Sequence, residues 1–227
     1  MIRRRDFDSQ RARMVERQLR RRGISDEQVL ESMAAVPREQ YVPDAERPRA
    51  YVDGALPIGF GQTISQPWIV AAIAAALRLD GSERVLEVGA GMGYSTAVLA
   101  RLCTEVTAIE RIGELAGAAA QRLAEQGVKN ARVVHADGSV GLPGAAPFGA
   151  IAVHAAAPGP PPSLLDQLAV GAHLVVPITS PGVDTLTVYR RTGTLTSDAE
   201  RGVGVEVEVI GPCRFVPLLG EEGFPSA

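Results

Sequence analysis

From Arg84 onward the chain alternates short apolar runs with stretches whose apolar positions recur every three or four residues. The runs at 84–89, 105–110, 131–136, 148–154 and 172–178 read as buried strands, and the stretches at 94–102, 113–126 and 163–169 as helices. Such alternation predicts an α/β fold with a Rossmann-like, doubly wound, mostly parallel sheet. Two further strands, 184–190 and 205–218, follow, joined by a polar, turn-rich stretch around 192–204.

Ahead of the sheet, residues 1–53 read as a helical N-terminal appendage with Met14, Leu19, Val29, Leu30, Met33 and Val36 as core candidates. Turns are expected at Arg22-Gly23 and Val36-Pro37. Residues 54–82 hold a glycine-rich loop, Leu56 to Pro67, and a helix reaching about Leu79. In that loop Ser65 is the expected N-cap, with Pro67 in the first helical turn. The 227 residues are read as one domain: appendage 1–53, loop and helix 54–82, cofactor-binding core 83–180, C-terminal strands 181–227.

At the corner between the first long strand and its helix stands Glu87-Val88-Gly89-Ala90-Gly91-Met92-Gly93-Tyr94. Glycines at such a corner let backbone approach a ligand that a Cβ would exclude, and they leave N–H groups free at the helix start. A dinucleotide fingerprint wants its third glycine where this chain has Tyr94. The observed spacing, preceded by Glu87, resembles the first motif of class I S-adenosylmethionine methyltransferases. Two acids then fall at strand ends. Glu110, about twenty residues past the glycines, can accept both ribose hydroxyls, a role it would equally serve for a nicotinamide cofactor. Asp137-Gly138 ends the next strand, where a carboxylate can receive the exocyclic amine of an adenine.

Composition narrows the picture further. With 46% hydrophobic and 22% charged residues, the chain has the makings of a packed soluble core. Its longest helix-length apolar run, Ile69 to Leu79, is too short to span a bilayer, and no signal peptide is read, so a cytoplasmic protein without membrane partners is expected. Cys103 and Cys213 have no metal-ligand spacing around them, so neither a metal nor a disulfide is expected. The first 22 residues carry nine arginines, but Asp6, Asp8 and Glu16 interrupt them and the net charge is -3. They are read as a solvated helix face, with no nucleic-acid partner.

With the loop and strand ends placed, the chain resembles the protein-L-isoaspartate (D-aspartate) O-methyltransferase family. The resemblance runs from Val15 to Gly220 through Val36-Pro37-Arg38-Glu39, Leu56-Pro57-Ile58-Gly59, Gly61-Gln62-Thr63-Ile64-Ser65-Gln66-Pro67, the glycine motif, Ala156-Ala157-Pro158 and Arg214-Phe215-Val216-Pro217-Leu218. Gly61 to Pro67 is its most specific part, because unrelated methyltransferases share the glycines but not this loop. The resemblance implies a class I methyltransferase that uses S-adenosyl-L-methionine, releases S-adenosyl-L-homocysteine, and esterifies the α-carboxyl of L-isoaspartyl residues in damaged proteins and peptides. It puts the active-site serine on Ser65, with Thr63 and Ile64 closing over the methyl donor. Cofactor contacts are then expected at Thr63, Ile64, Glu87, Gly89, Ala90, Gly91, Glu110, Asp137 and Gly138, and substrate contacts at Ile64, Ser65, His154 and Val216. A monomer is expected.

Three positions depart from many relatives: Met92 in place of serine, Gly149 in place of aspartate and His154 in place of threonine. The first two are read as packing changes. His154 ends the fourth strand of the sheet, beside the topological switch point. It is read as a structural imidazole, with altered substrate shape or pH dependence as the alternative, while His135 and His173 are read as structural.

The chemistry implied needs no general base, since a carboxylic acid of pKa about 4 is already ionised at neutral pH. Positioning and partial desolvation of two opposite charges supply the rate. That fits a chain without a Ser-His-Asp, Cys-His or paired-carboxylate constellation. The segment His154-Ala155-Ala156-Ala157-Pro158 has neither a cation clamp for an amine nor an aromatic shelf for a base. The alternative kept open is a carboxyl methyltransferase for a dedicated biosynthetic peptide or a small-molecule carboxylate.

Overall fold

A computed structural model describes residues 4–193 and 204–225. The appendage opens with α1 (Arg4–Met14), which runs on through a π-helical turn at Val15–Leu19 and a tight turn at Arg20–Arg22 to Gly23, whose φ of 94° ends it. The second helix, α2 (Glu27–Ala35), begins at Asp26, whose carboxylate accepts the Val29 N–H at 3.1 Å. Met14, Leu19, Val29, Leu30 and Met33 are all buried, so the amphipathic pattern reported the packing face correctly.

Next come a small antiparallel hairpin, β1 (Leu56–Gly59) and β2 (Gln62–Ile64), and then α3 (Pro67–Ala76). The sequence showed only a loop here, because strands of three and four residues carry no readable period. The expected N-cap also shifts by one. Gln66 is the N-cap, without a side-chain cap bond, and Ser65 stands one residue before that cap.

The core follows as β3 (Arg84–Val88), α4 (Tyr94–Leu99), β4 (Glu105–Glu110), α5 (Gly113–Glu125), β5 (Ala131–His135), β6 (Phe148–Val153), α6 (Pro162–Asp166), β7 (Leu168–Ile178), β8 (Asp184–Arg191) and β9 (Val205–Cys213). One seven-stranded sheet has the order β5-β4-β3-β6-β7-β8-β9, parallel from β5 to β7 and antiparallel from there. Successive residues of β3 feed different cores: Val85 packs in a cluster with α3 and α4, Leu86 and Val88 in one with α6. The chain reverses its direction of travel at β3, between β4 and β6, and this switch point opens a crevice at the strand ends.

Three boundaries differ from expectation. Helix α4 stops at Leu99 rather than 102. Helix α6 is only five residues long, because β7 starts at Leu168, not 172, and bulges around Gly171 (φ 88°). Strand β9 ends at Cys213, not 218. Residues 214–218 leave the sheet edge and run beside the segment after β6: the Ala156 N–H donates to the Val216 carbonyl at 2.8 Å and the Leu218 N–H to that of Ala156 at 2.7 Å. Most of the turn-rich stretch expected at 192–204 lies outside the described residues, as does Arg3. Both cysteines are buried and free.

Candidate active site

The crevice is a cleft of about 900 Å³, partly open to solvent. Its floor is the turn between β3 and α4, where the Gly89 and Ala90 N–H groups donate to the Ile109 carbonyl at 2.8 and 3.2 Å. Gly91 has φ 55°, and a Cβ there would stand 3.1 Å from Ile58 Cδ1 of the hairpin overhead. Backbone alone therefore separates floor from roof at that point. Gly138 answers a different need: a Cβ would come within 2.6 Å of Val88 Cγ1.

Glu110 closes β4 against this floor, 7% exposed. One carboxylate oxygen accepts the Gly91 N–H at 2.8 Å and the other the Ile112 N–H at 2.9 Å. Each oxygen keeps capacity for one more donor, which is what a vicinal diol requires. A glycine-lined floor that a Cβ would fill, beside a carboxylate with two spare acceptor sites, fits the ribose of an adenosyl group. The roof is Ile58, Gln62, Thr63, Ile64 and Ser65 from the hairpin and its exit.

Two residues expected to touch the cofactor, Glu87 and Asp137, do not line the cleft. Glu87 is 0% exposed beneath the floor, its carboxyl taken by the Ser95 and Thr96 hydroxyls. Burial, opposed by those two bonds and helped by Glu110, pushes it up to about 7. Asp137 is turned the other way. It accepts the Ser139 N–H and hydroxyl, each at 2.8 Å, and the Glu221 N–H at 2.8 Å, so it pins the C-terminal segment. Partial burial works against its charge, but these donors hold its pKa below the usual value. The sequence placed both acids at the right strand position; side-chain direction was not legible.

A second cavity adjoins the first. It is walled by Arg22 of the appendage, Gln66 and Trp68 at the start of α3, and Arg214 and Phe215 beyond β9. Thr63, Ser65, His154 and Val216 line both spaces and so form the partition between them. Ser65 presents a hydroxyl without a protein partner among the described residues, while its carbonyl accepts Arg38 Nη2 at 2.8 Å. Arg38 is 0% exposed and stands 4.9 Å from the Tyr94 ring centre; its Nε donates to the Ala50 carbonyl at 2.8 Å. That tether was not read from the sequence, although Arg38 lies in a quoted motif. Arg22, read as part of a solvated face, is exposed, and its guanidinium also lies 5.3 Å from the Trp68 ring centre and helps wall the second cavity.

His154 is fixed by its backbone N–H, which donates to the Val88 carbonyl at 2.8 Å. Its Nε2 lies 3.3 Å from Glu87 Oε1 but out of hydrogen-bonding alignment, and has no other partner among the described residues. Burial lowers its pKa to about 4, so the pair is a neutral imidazole against a partly protonated carboxyl rather than an ion pair. Among the described residues no group of three or more His, Cys, Asp or Glu side chains is placed to hold a metal ion. No helix among them is long and apolar enough to cross a membrane.

Comparison with known proteins agrees with this geometry. Residues 9–223 match the family model described as Protein-L-isoaspartate(D-aspartate) O-methyltransferase. A Protein-L-isoaspartate O-methyltransferase 2 of Marinobacter nauticus is 52% identical over 221 residues, 97% of each chain. A Protein-L-isoaspartate O-methyltransferase 1 of Rhodopseudomonas palustris is 50% identical over 222 residues, covering 97% of this chain and 87% of the relative. Among solved structures, a protein-L-isoaspartate O-methyltransferase gives a TM-score of 0.80 at 24% identity over 93% of this chain and 66% of its own, which speaks for the fold. A Plasmodium falciparum protein described as a beta-aspartate methyltransferase in complex with S-adenosyl-L-homocysteine gives a TM-score of 0.75 at 25% identity, over 94% of this chain and 98% of its own. A class I α/β sheet, a glycine floor beside a buried carboxylate, a hydroxyl at the partition and matches along nearly the whole chain converge: the chain belongs to the protein-L-isoaspartate (D-aspartate) O-methyltransferase family, whose members are S-adenosylmethionine-dependent enzymes.

Proposed function

We propose that this chain methylates the α-carboxyl of L-isoaspartyl residues in proteins and peptides across the partition of Thr63, Ser65, His154 and Val216, with cofactor in the glycine-floored cleft and peptide in the adjoining cavity. The observation that carries this reading is the partition itself: the same four side chains line both spaces. Glu110 holds the ribose hydroxyls, Gly89, Ala90, Gly91 and Gly138 give the backbone clearance, and Thr63 and Ile64 cover the reacting side. Glu87 and Asp137 act from behind the wall as supports. When bound, S-adenosylmethionine supplies an electrophilic sulfonium methyl.

Ser65 donates its hydroxyl to the substrate carboxylate, orienting it without neutralising it. Val216 packs against the peptide from the segment that left β9, and the roof over the cleft excludes water. No proton has to move, which agrees with a partition that contains no acid and only a neutral imidazole. The arginine-rich appendage is no phosphate-binding stripe. Arg20, Arg21 and Arg22 pair with Glu27, Glu16 and Asp53 at 2.5, 3.1 and 3.1 Å. We place the enzyme in the cytoplasm, acting on proteins.

The deciding experiment incubates the protein with methyl-labelled S-adenosylmethionine and two peptides that differ only in an isoaspartyl or a normal aspartyl linkage. Base-labile label on the isoaspartyl peptide alone is expected. Label on neither, with cofactor binding intact, would move the substrate to a dedicated peptide or a small carboxylate.

A further inference from the structure

The second cavity has a charge pattern that methyl transfer itself does not use. Two guanidinium groups line it, Arg22 and Arg214, and among its described lining residues there is no aspartate or glutamate. Two acids bonded to its lining segment are already engaged. Asp53 accepts Arg22 Nη1 through both oxygens at 3.1 Å and Gln66 Nε2 at 2.6 Å. Asp184 accepts the Phe215 N–H at 3.1 Å. Asp53 thus occupies one nitrogen of Arg22 and leaves Nε and Nη2 without a protein partner among the described residues.

Arg22 is also held in place. Its guanidinium lies over the Trp68 ring, and the Trp68 indole N–H donates to the Arg22 carbonyl at 3.3 Å. The same side chain is thereby pre-ordered at the cavity wall by one acid and one aromatic ring, and less freedom is lost when a ligand arrives. Arg214 is exposed and makes no ion pair among the described residues. In a chain of net charge -3 a mouth lined by two guanidinium groups, of which only Arg22 is offset by an acid, is a local reversal of sign, and it attracts anions. Ser65 already accounts for the isoaspartyl carboxylate at the partition, so the arginines are left for a second anionic group on the same peptide.

We propose that Arg22 and Arg214 form a specificity subsite for an acidic side chain flanking the isoaspartyl residue, so that this enzyme favours damage sites in acidic sequence. The proposal rests on the assignment of this cavity to the peptide.

The test uses the full-length enzyme and three isoaspartyl peptides identical except for Glu, Gln or Lys beside the isoaspartyl residue. At low ionic strength kcat/KM is expected to fall by roughly threefold at each step from Glu to Gln to Lys. Added salt should compress the series, since partly exposed charges are screened within about 8 Å at physiological ionic strength. Arg22→Gln should narrow the spread and Arg214→Glu should reverse its order. Equal values for the three peptides, or an unchanged order in Arg214→Glu, would overturn the proposal. Trp68, the only tryptophan in the chain, separates the two levels of the argument. A shifted Trp68 emission on peptide binding together with equal rates overturns the subsite alone. An unshifted emission with a peptide that is turned over overturns the cavity assignment and the subsite with it.

Discussion

His154, on the partition, holds its Nε2 3.3 Å from Oε1 of Glu87, which lies beneath the glycine floor, with both side chains buried. Burial moves the two pKa values in opposite directions, Glu87 up to about 7 and His154 down to about 4. A carboxyl whose pKa is higher folded than unfolded adds stability below its unfolded value, and that stability is lost as pH rises to 7. An imidazole whose pKa is lower folded costs stability below its folded value, and the cost disappears as pH rises to 6.5. The slopes therefore oppose each other between about pH 4.5 and 6.5.

Replacing one partner should expose the other's slope. In His154→Thr, stability is expected to decline from about pH 4.5 to 7, and in Glu87→Gln to rise from about pH 4 to 6.5. Each slope would be up to about 3–5 °C in Tm per pH unit. Thermal unfolding across this range checks it. Parallel curves for both variants and the parent would mean that neither group titrates differently on folding.

Ser65→Ala should lower kcat by about 10- to 100-fold, the scale on which a misplaced reacting group loses rate. Cofactor affinity should hold, because Ser65 belongs to the partition and not to the glycine floor. Single-turnover kinetics alongside calorimetry tests the split. Unchanged turnover would remove Ser65 from the mechanism.

Glu110→Ala removes two acceptor sites for the ribose and also frees the Gly91 and Ile112 N–H groups. A charge-assisted hydrogen bond contributes about 1.5–3 kcal/mol, so the cofactor dissociation constant should rise by about 100-fold or more. The same titration on Glu110→Gln should give an intermediate value. An unaltered isotherm for the alanine variant would place the ribose elsewhere.

Arg38→Met tests the tether between the appendage and the active-site loop. It leaves the Ala50 and Ser65 carbonyls without their donor, at about 1–3 kcal/mol each if they stay dry. A Tm lower by several degrees is expected, together with a lower kcat as the Ser65 loop loosens. Guanidinium ion added at millimolar concentration to Arg38→Ala should restore part of that kcat. A kcat equal to the parent's would confine Arg38 to the fold.

Much of this site was legible before any coordinates. The glycine spacing and Glu110 marked the floor of the cleft, through backbone shape and the last residue of a strand, while the loop Gly61 to Pro67, which forms much of the roof, stood out through its resemblance to the family. The hairpin inside that loop was not legible, since β1 and β2 are too short to show a period.

The sequence by itself determined the alternation of strands and helices that makes a parallel core and the glycine corner after β3, because apolar periodicity and glycine placement act over neighbouring residues. Only the tertiary structure decided which way the carboxylates turn. Glu87 meets the Ser95 and Thr96 hydroxyls and Asp137 meets Glu221, each through a partner whose position the strand pattern does not encode. The second cavity is likewise a tertiary product. It forms because residues 214–218 leave β9 to pair with Ala156, and because the appendage brings Arg22 onto Trp68. Contacts between segments so far apart in the chain are fixed by the packing of the whole core, where burial and backbone pairing are satisfied together.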